Sequence, residues 1–301
     1  MFQLVIHIIN WTEVFFQRLS RWILESRMEE QAYQLFSEIQ TTHWWFVARR
    51  IILEDLLKRN LKPAQRLRIA DIGCGTGALL PMLAQFGETW GVDDSATAVE
   101  MCRRQNFSNV YLDSDPAGVP SQEFRAAGQF DLMTFLDVIE HVDDDVGFLK
   151  SYLGQLKPGG LALITVPAFM FLWSDHDRLN HHRRRYTADR LRQVVEHAAL
   201  APYKISYFNT YLFPFIALVR LTMRLQNFLR RSLGVKNRQE AHTDFERNIA
   251  PLNGLFKMIF SSERFVLRHG SFPVGTSLLC IARKAQPASA PPSQRGFESR
   301  V

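Results

Sequence analysis

The stretch IADIGCGTGALL, residues 69–80, decides the fold. An apolar run of strand length leads into Gly73, Gly75 and Gly77 and then into an apolar run typical of a helix. Glycines spaced in this way let the backbone turn tightly and approach a ligand beside a helix N-terminus. The spacing is not the G-x-G-x-x-G of dinucleotide enzymes, and the Lys-Ser/Thr of a P-loop is missing. The loop predicts a nucleotide-like ligand other than NAD or ATP, the alternative being a glycine turn that holds nothing.

Short apolar runs continue after this loop, separated by helical stretches or glycine turns. They are continuous rather than alternating, which is typical of strands buried on both faces of a parallel sheet. A βαβ rhythm of this kind predicts a doubly wound, Rossmann-like α/β fold. The runs are RLRIADIG, ETWGVD, NVYL, FDLMTFL and LALITV, then a possible strand at YKISYF and a last one at TSLLCIAR.

Asp93 ends the second run, about 20 residues beyond the glycines, where an acidic side chain can accept both hydroxyls of a ribose. Ligands of open α/β sheets bind at the carboxyl ends of strands. We therefore expect Asp93 and the glycine loop to share one site.

Composition excludes several classes of protein. Of 301 residues, 47% are apolar and 22% charged, so a largely disordered chain is excluded. Three widely spaced cysteines exclude a disulfide framework and a CxxC zinc site. The net charge of +6 is concentrated between residues 175 and 250, a segment that could meet nucleic acid, anionic lipid or a phosphorylated substrate. No secretory signal is recognisable, so a cytoplasmic setting is expected.

The motifs taken together resemble the class I S-adenosylmethionine (SAM)-dependent methyltransferases. The resemblance rests on DIGCGTG at residues 71–77, Asp93, Asp115 after the third strand, FDLMTFLDVIEHV, and LKPGG followed by LALITVP. It covers roughly residues 65–200 and the terminal strand. It implies a seven-stranded sheet of order 3-2-1-4-5-7-6 whose last strand is antiparallel. The expected organisation is an N-terminal helical cap (1–62), a methyltransferase domain (63–284) with a helical insert (212–262), and a disordered tail (285–301).

The resemblance also implies roles in cofactor binding. SAM would be held through its methionine part by Asp71 and the three glycines, through its ribose by Asp93, and through its adenine amine by Asp115. Pro116 departs from the family pattern because proline cannot donate a backbone N–H to the adenine. The helix containing HWWFVARR would close over the cofactor with Phe46 and Arg49, although aromatic residues at this spacing are also typical of a core.

The segment LDVIEHVDD follows the fourth strand and offers candidates for acid–base chemistry. His141 could accept the proton of an acceptor hydroxyl, because imidazole titrates near neutrality; Glu140 and His182 are further catalytic candidates. The alternative is that Glu140 and His141 merely orient the following helix. The spacing is similar to the E-x-x-E-H metal motif of ubiquinone-biosynthesis O-methyltransferases and small-RNA 2′-O-methyltransferases. That similarity implies a divalent cation on Asp137, Glu140 and His141, with more histidines at His176, His181 and His182.

The basic stretch HHRRRYT lies where this fold builds its substrate mouth. Arg183, Arg184 and Tyr186 could clamp a phosphate or carboxylate of the acceptor. The alternative is a solvated turn leading into a helix capped by Thr187.

The helical insert places a narrow cationic stripe on a very apolar helix, residues 212–231. The stripe consists of Arg220, Arg224, Asn227 and Arg231. The helix could pack as a lid over the substrate or lie in the headgroup zone of a membrane, at its inner face. Nucleic acid is disfavoured because no recognisable binding module accompanies the charge.

The sequence thus predicts a SAM-dependent methyltransferase acting on a small-molecule or lipid-linked acceptor, with oxygen as the favoured acceptor atom. Two alternatives stay open. One is a catalytically silent SAM-binding module that docks on a membrane or partner through the insert. The other is an NAD-dependent oxidoreductase, which the glycine spacing disfavours.

Overall fold

The computed structural model describes residues 37–61, 66–115, 118–174, 177–178, 180–218, 220–222 and 250–286. Within these ranges the strands are β1 (Leu67–Ile72), β2 (Gly87–Asp93), β3 (Val110–Leu112), β4 (Phe130–Leu136), β5 (Leu156–Pro167), β6 (Leu200–Phe208) and β7 (Ser277–Lys284). The helices are α1 (Trp44–Asn60), α2 (Leu80–Leu83), α3 (Ala96–Arg104), α4 (Gln122–Ala126), α5 (Asp145–Leu153), α6 (Ala188–His197), α7 (Ala250–Ser262) and α8 (Arg264–Leu267).

All seven strands form one sheet of order β3-β2-β1-β4-β5-β7-β6. Strands β1 to β5 pair in parallel, whereas β7 is antiparallel to both β5 and β6. The predicted fold class and strand order are confirmed. The carboxyl ends of β1, β2, β4 and β5 meet at one edge, where ligands of such sheets bind.

Both faces of the sheet are buried. Ile69, Leu132 and Leu163 belong to a core that includes the apolar residues of α1 and Phe260 of α7. Their neighbours in the strands, such as Met133, face the opposite core, which α4, α5 and α6 cover. Successive strand residues point to opposite faces, so a strand covered on both faces is apolar throughout.

Helix boundaries follow local chemistry. The His43 side chain accepts from the Trp45 N–H at the start of α1. The Thr187 side chain accepts from the Arg190 N–H at the start of α6, as predicted. α1 buries Ile52, Leu56 and other residues on one stripe against the sheet.

Parts of the predicted cap, insert and tail lie outside the described residues. These are residues 1–36 and 62 of the cap, 219 and 223–249 of the insert with Arg224, Asn227 and Arg231, and 287–301 of the tail. His176, one of the histidines considered for the metal site, also lies outside the described residues. In the insert, residues 213–218, 220–222 and α7 are helical. No helix among the described residues is long and apolar enough to span a bilayer.

Candidate active site

The glycine loop leaves β1 with positive φ angles of 73° at Gly73, 53° at Gly75 and 81° at Gly77. The Val92 carbonyl accepts from the N–H of Gly73 at 2.7 Å and of Cys74 at 2.9 Å, which fastens the loop to β2. A Cβ on Gly75 would meet no described atom within 4 Å. The middle of the loop is therefore open to a ligand, and its left-handed backbone favours glycine.

Asp93 joins this loop through its carboxylate. It accepts from the Gly75 N–H at 2.7 Å and from the Ser95 N–H at 3.1 Å. Burial raises the pKa of Asp93, while the two backbone N–H groups act in the opposite direction. The structure thus brings Asp93 and the glycines into one site, as the sequence predicted.

Asp71 lies beneath the loop rather than on its surface. Its side chain is buried, and the Thr134 hydroxyl donates to it at 2.5 Å. Burial raises the pKa of Asp71 to about 7, although the Thr134 bond lowers it. This carboxylate changes its charge near neutrality, beside the place expected for the cofactor's ammonium group.

Asp115 and Asp113 follow β3 and differ in environment. Asp113 is buried and accepts from the Tyr152 hydroxyl at 2.8 Å and the Ser121 N–H at 3.1 Å. Asp115 is exposed, so it stays the candidate for the adenine amine. Pro116, its departure from the family pattern, lies outside the described residues.

An ion pair between a buried arginine and a partly exposed aspartate ties the first half of α1 to the edge of the sheet where the glycine loop lies. Arg49 contacts Asp137 at 3.0 Å and donates to the Thr165 hydroxyl at 2.8 Å. Thr165 in turn donates to Asp137 at 3.0 Å. Arg49 thus fixes the cap to the ends of β4 and β5. Phe46 is half-buried, and its ring packs edge-on against the ring of Trp45.

One contact between the cap and the glycine loop was not predicted. The Thr76 hydroxyl donates to the Gln40 side chain at 2.8 Å. Gln40 belongs to the helical residues 37–42 that precede α1. The segment before α1 therefore contacts the glycine loop directly. No sequence motif predicts this contact.

Three predicted catalytic residues, Glu140, His141 and His182, come together after β4. Each offers one ligand atom, and these atoms lie within 4.8 Å of one another. Glu140 is fully buried, and neither carboxylate oxygen has a hydrogen-bond partner in the described part of the chain. Burial raises the pKa of Glu140 well above its ordinary value. Burial, with the adjacent His182, lowers the pKa of His141 to about 4.

His182 is oriented by Asp177, which the sequence analysis missed. The His182 Nδ1 lies 2.8 Å from the Asp177 carboxylate, which Arg185 also contacts at 2.8 and 2.9 Å. Burial alone would raise the pKa of Asp177, but bonds from His182 and Arg185 lower it. An ionised carboxylate only accepts, so Nδ1 is the nitrogen that donates to Asp177, and in the neutral imidazole this leaves the acceptor lone pair on Nε2.

Asp137 differs from its expected role as a metal ligand. Its carboxylate pairs with Arg49 and accepts from Thr165, and it is not among the ligand atoms that gather within 4.8 Å. His182 completes that cluster instead. The reason is tertiary: the chain after β5 folds back, and its Arg183 N–H donates to the Glu140 carbonyl at 2.8 Å.

The basic stretch is divided between surface and interior. Arg183 is exposed and pairs with Asp143 at 2.7 Å. Arg184 pairs with Asp145 at 3.2 Å, and the Tyr186 hydroxyl donates to the same carboxylate at 3.0 Å. Tyr186 is fully buried, so the expected contact between its side chain and the substrate is wrong in this structure. Arg183 is the member of the predicted clamp that stays open to solvent.

A family model described as a methyltransferase domain matches residues 43–204. This chain belongs to that family. The predicted methyltransferase activity and the SAM cofactor are thereby confirmed. Neither alternative function gains support.

Two similar proteins have names that agree with this assignment. A ubiquinone biosynthesis O-methyltransferase of Dinoroseobacter shibae is 31% identical over 178 residues, which are 52% of this chain and 69% of the relative. That of Brucella ovis is 35% identical over 105 residues, 34% of this chain and 42% of the relative.

Two solved structures share the fold. One is the complex of the Haloferax volcanii Trm112 methyltransferase activator with a methyltransferase (TM-score 0.51, 15% identity, 87% of this chain and 99% of that chain). The other is the plantazolicin methyltransferase BpumL (TM-score 0.50, 14% identity, 87% and 92%). At these identities the likeness concerns the fold.

Proposed function

We propose that this methyltransferase methylates a hydroxyl oxygen of a small-molecule or lipid-linked acceptor. The observation that carries the proposal is the cluster of Glu140, His141 and His182 at the edge where the glycine loop and Asp93 also lie. Methylation of a hydroxyl requires a group that takes its proton. The printed names of the relatives, ubiquinone biosynthesis O-methyltransferase, support oxygen as the acceptor atom.

The cofactor supplies an electrophilic methyl group, and the residues of the chain position the acceptor and take its proton. His182 accepts the hydroxyl proton at Nε2, because Asp177 holds its Nδ1 protonated at 2.8 Å. The same carboxylate stabilises the imidazolium that forms. Asp177 thus acts as a positioning residue, and Arg185 keeps it ionised.

The cluster also fits a divalent cation. A fully buried carboxylate with no hydrogen-bond partner among the described residues, beside two imidazoles, is a set of donors suited to a metal. Glu140, His141 and His182 would hold the ion, with Asp177 orienting His182. In that state Nε2 of His182 would be a ligand, so the ion and not His182 would activate the acceptor hydroxyl. Bound there, it would acidify the acceptor hydroxyl.

The proposal is tested with isotopically labelled SAM in a cell extract, followed by mass spectrometry of metabolites and lipids. The label should appear on an oxygen of a small or lipid-linked product. His182→Gln should lower turnover by about 100-fold or more while leaving cofactor affinity unchanged, and the exposed His197→Gln serves as the matched control. A label on carbon or nitrogen, or equal turnover by both variants, would refute it.

The metal assignment has its own test. Exhaustive chelation should lower turnover, readdition of Mg²⁺ or Zn²⁺ should restore it, and elemental analysis should find the ion in the unchanged chain but not in Glu140→Gln. Undiminished activity after chelation would contradict the metal assignment, but it would leave the proposed methylation of an acceptor oxygen unaffected.

A lipid-linked acceptor is supported by apolar side chains exposed around the insert. They include Tyr211, Phe215, Leu218, Leu221, Leu255 and Met258. Phe215 contacts Phe256 of α7, with ring centroids 6.4 Å apart, so two helices contribute to this surface. Arg220 donates to the Leu172 carbonyl at 2.8 Å, which places one member of the predicted stripe against the segment after β5.

Flotation with vesicles containing anionic lipid tests this contact. The chain should float at low salt, and the double variant Leu218→Ser with Met258→Ser should float less. Absence of flotation by the unchanged chain removes the membrane contact and leaves a soluble acceptor.

A further inference from the structure

A cavity lies outside the active site, at the edge strand β6. Its volume is about 560 Å³, and its walls come from the end of α1, from β6, from α6 and from the segment after α8. The polar part of its lining consists chiefly of Arg59, Arg192, Tyr203, Lys204, Arg268 and His269. None of these residues contributes to the site at the carboxyl edge.

Positive charge is in excess around this cavity. Asp55 neutralises Arg268 through bonds of 2.6 and 3.0 Å, and lies 3.6 Å from Arg59. Arg192 lies 3.9 Å from Glu196, which is too long for a hydrogen bond. Among the described residues, two nearby carboxylates, Asp55 and Glu196, are thus outnumbered by four basic side chains that line the cavity, one of which is Lys204.

Lys204 is aimed into the cavity. Its ammonium donates to the Gly270 carbonyl at 2.8 Å, and an ammonium has three donors in all. Burial lowers the pKa of Lys204, so an added anion would relieve a cost that the side chain already carries.

The backbone of β6 is irregular at this point. Its pairing with β7 shifts register between Pro202 and Lys204. Consecutive residues of a regular strand point to opposite faces, yet Tyr203, Lys204 and Ile205 all line the cavity. A bulge of this kind re-aims side chains and is common beside binding sites.

We propose that this cavity binds a phosphorylated small molecule. Arg192 and Lys204 would bind the phosphate, the first through its planar fork and the second as a point charge. The ring of Tyr203, which is half exposed, would contact the organic part of the ligand. The site is separate from the cofactor site, so both can be occupied together.

Calorimetric titration of the full chain with phenyl phosphate, in the presence of saturating S-adenosylhomocysteine, tests this assignment. We expect saturable binding at one site, weaker binding of inorganic phosphate, and affinities about tenfold lower in Arg192→Gln and in Lys204→Gln. Arg104→Gln, an exposed arginine of α3 in an i,i+4 pair, is the matched control.

S-adenosylhomocysteine affinity and the melting temperature, unchanged in both variants, exclude unfolding as the cause. Three results would overturn the assignment: no saturable binding by the unchanged chain, an affinity in the two variants equal to that of the unchanged chain, or competition with S-adenosylhomocysteine. The last would place the phosphate in the cofactor site. Because this experiment follows ligand binding and not turnover, its failure is distinct from failure of the proposed methylation.

Discussion

Replacing Asp93 by alanine removes one carboxylate that serves both the glycine loop and the expected ribose. In the structure this carboxylate accepts from Gly75 at 2.7 Å and from Ser95 at 3.1 Å. A hydrogen bond to a charged group contributes about 1.5–3 kcal/mol. Loss of the acceptor should therefore raise the Kd for S-adenosylhomocysteine by about ten- to hundredfold, since each 1.4 kcal/mol is about a factor of ten.

Isothermal titration calorimetry of three variants measures this effect. Asp93→Asn keeps one oxygen acceptor without the charge and should fall between Asp93→Ala and the unchanged chain. Asp94→Ala removes the neighbouring exposed carboxylate and should bind as the unchanged chain does. If Asp93→Ala bound the ligand with unaltered affinity, Asp93 would not contact the ribose of the cofactor.

Three further predictions concern charge and packing. SAM affinity should increase as the pH rises through about 7, because burial raises the pKa of Asp71 to about 7 and only the ionised carboxylate attracts the cofactor's ammonium group. Binding titrations at several pH values should show this increase, and Asp71→Asn should abolish it. Glu263→Ala should lower the free energy of unfolding by about 2 kcal/mol or more in urea, because its carboxylate accepts N–H bonds from residues 209–211. Tyr186→Phe should lower the free energy of unfolding by about 1 kcal/mol but leave turnover unchanged, because the hydroxyl of Tyr186 donates to Asp145. A large loss of kcat would instead show that Tyr186 acts on the substrate.

The strands were predictable because the sheet is covered on both faces. The run FDLMTFL coincides with β4, where residues of alternate direction meet separate cores. A continuous apolar run of this length is explained by burial alone, so its location needs no knowledge of tertiary structure. The order of the strands could not be predicted from such local patterns, because β5 pairs with β7, about 115 residues further along the chain. The strand order was predicted from the resemblance to the methyltransferases.

The basic stretch shows where local sequence stops being informative. Arg183, Arg184 and Arg185 are adjacent in the chain, yet one is exposed, one pairs with Asp145 and one is buried against Asp177. Their directions follow from the bridge between Ala168 and Tyr186, which fixes the end of this segment beside β5. The sequence shows that three positive charges are adjacent, but contacts with distant residues determine the direction in which each side chain points.

The two halves of the site depend on different kinds of information. The cofactor half consists of closely spaced glycines with positive φ angles and of an acidic residue at the end of the next strand. Because these residues are close in sequence and have a characteristic spacing, the sequence alone predicts this half. The proposed acceptor half depends on the contact of Arg49 with Asp137 and on the segment after β5, which folds back and places His182 beside Glu140. A change in the length of that segment would displace His182 and leave the glycine loop intact. Cofactor binding should therefore tolerate alterations between β5 and α6 that abolish methyl transfer to the acceptor.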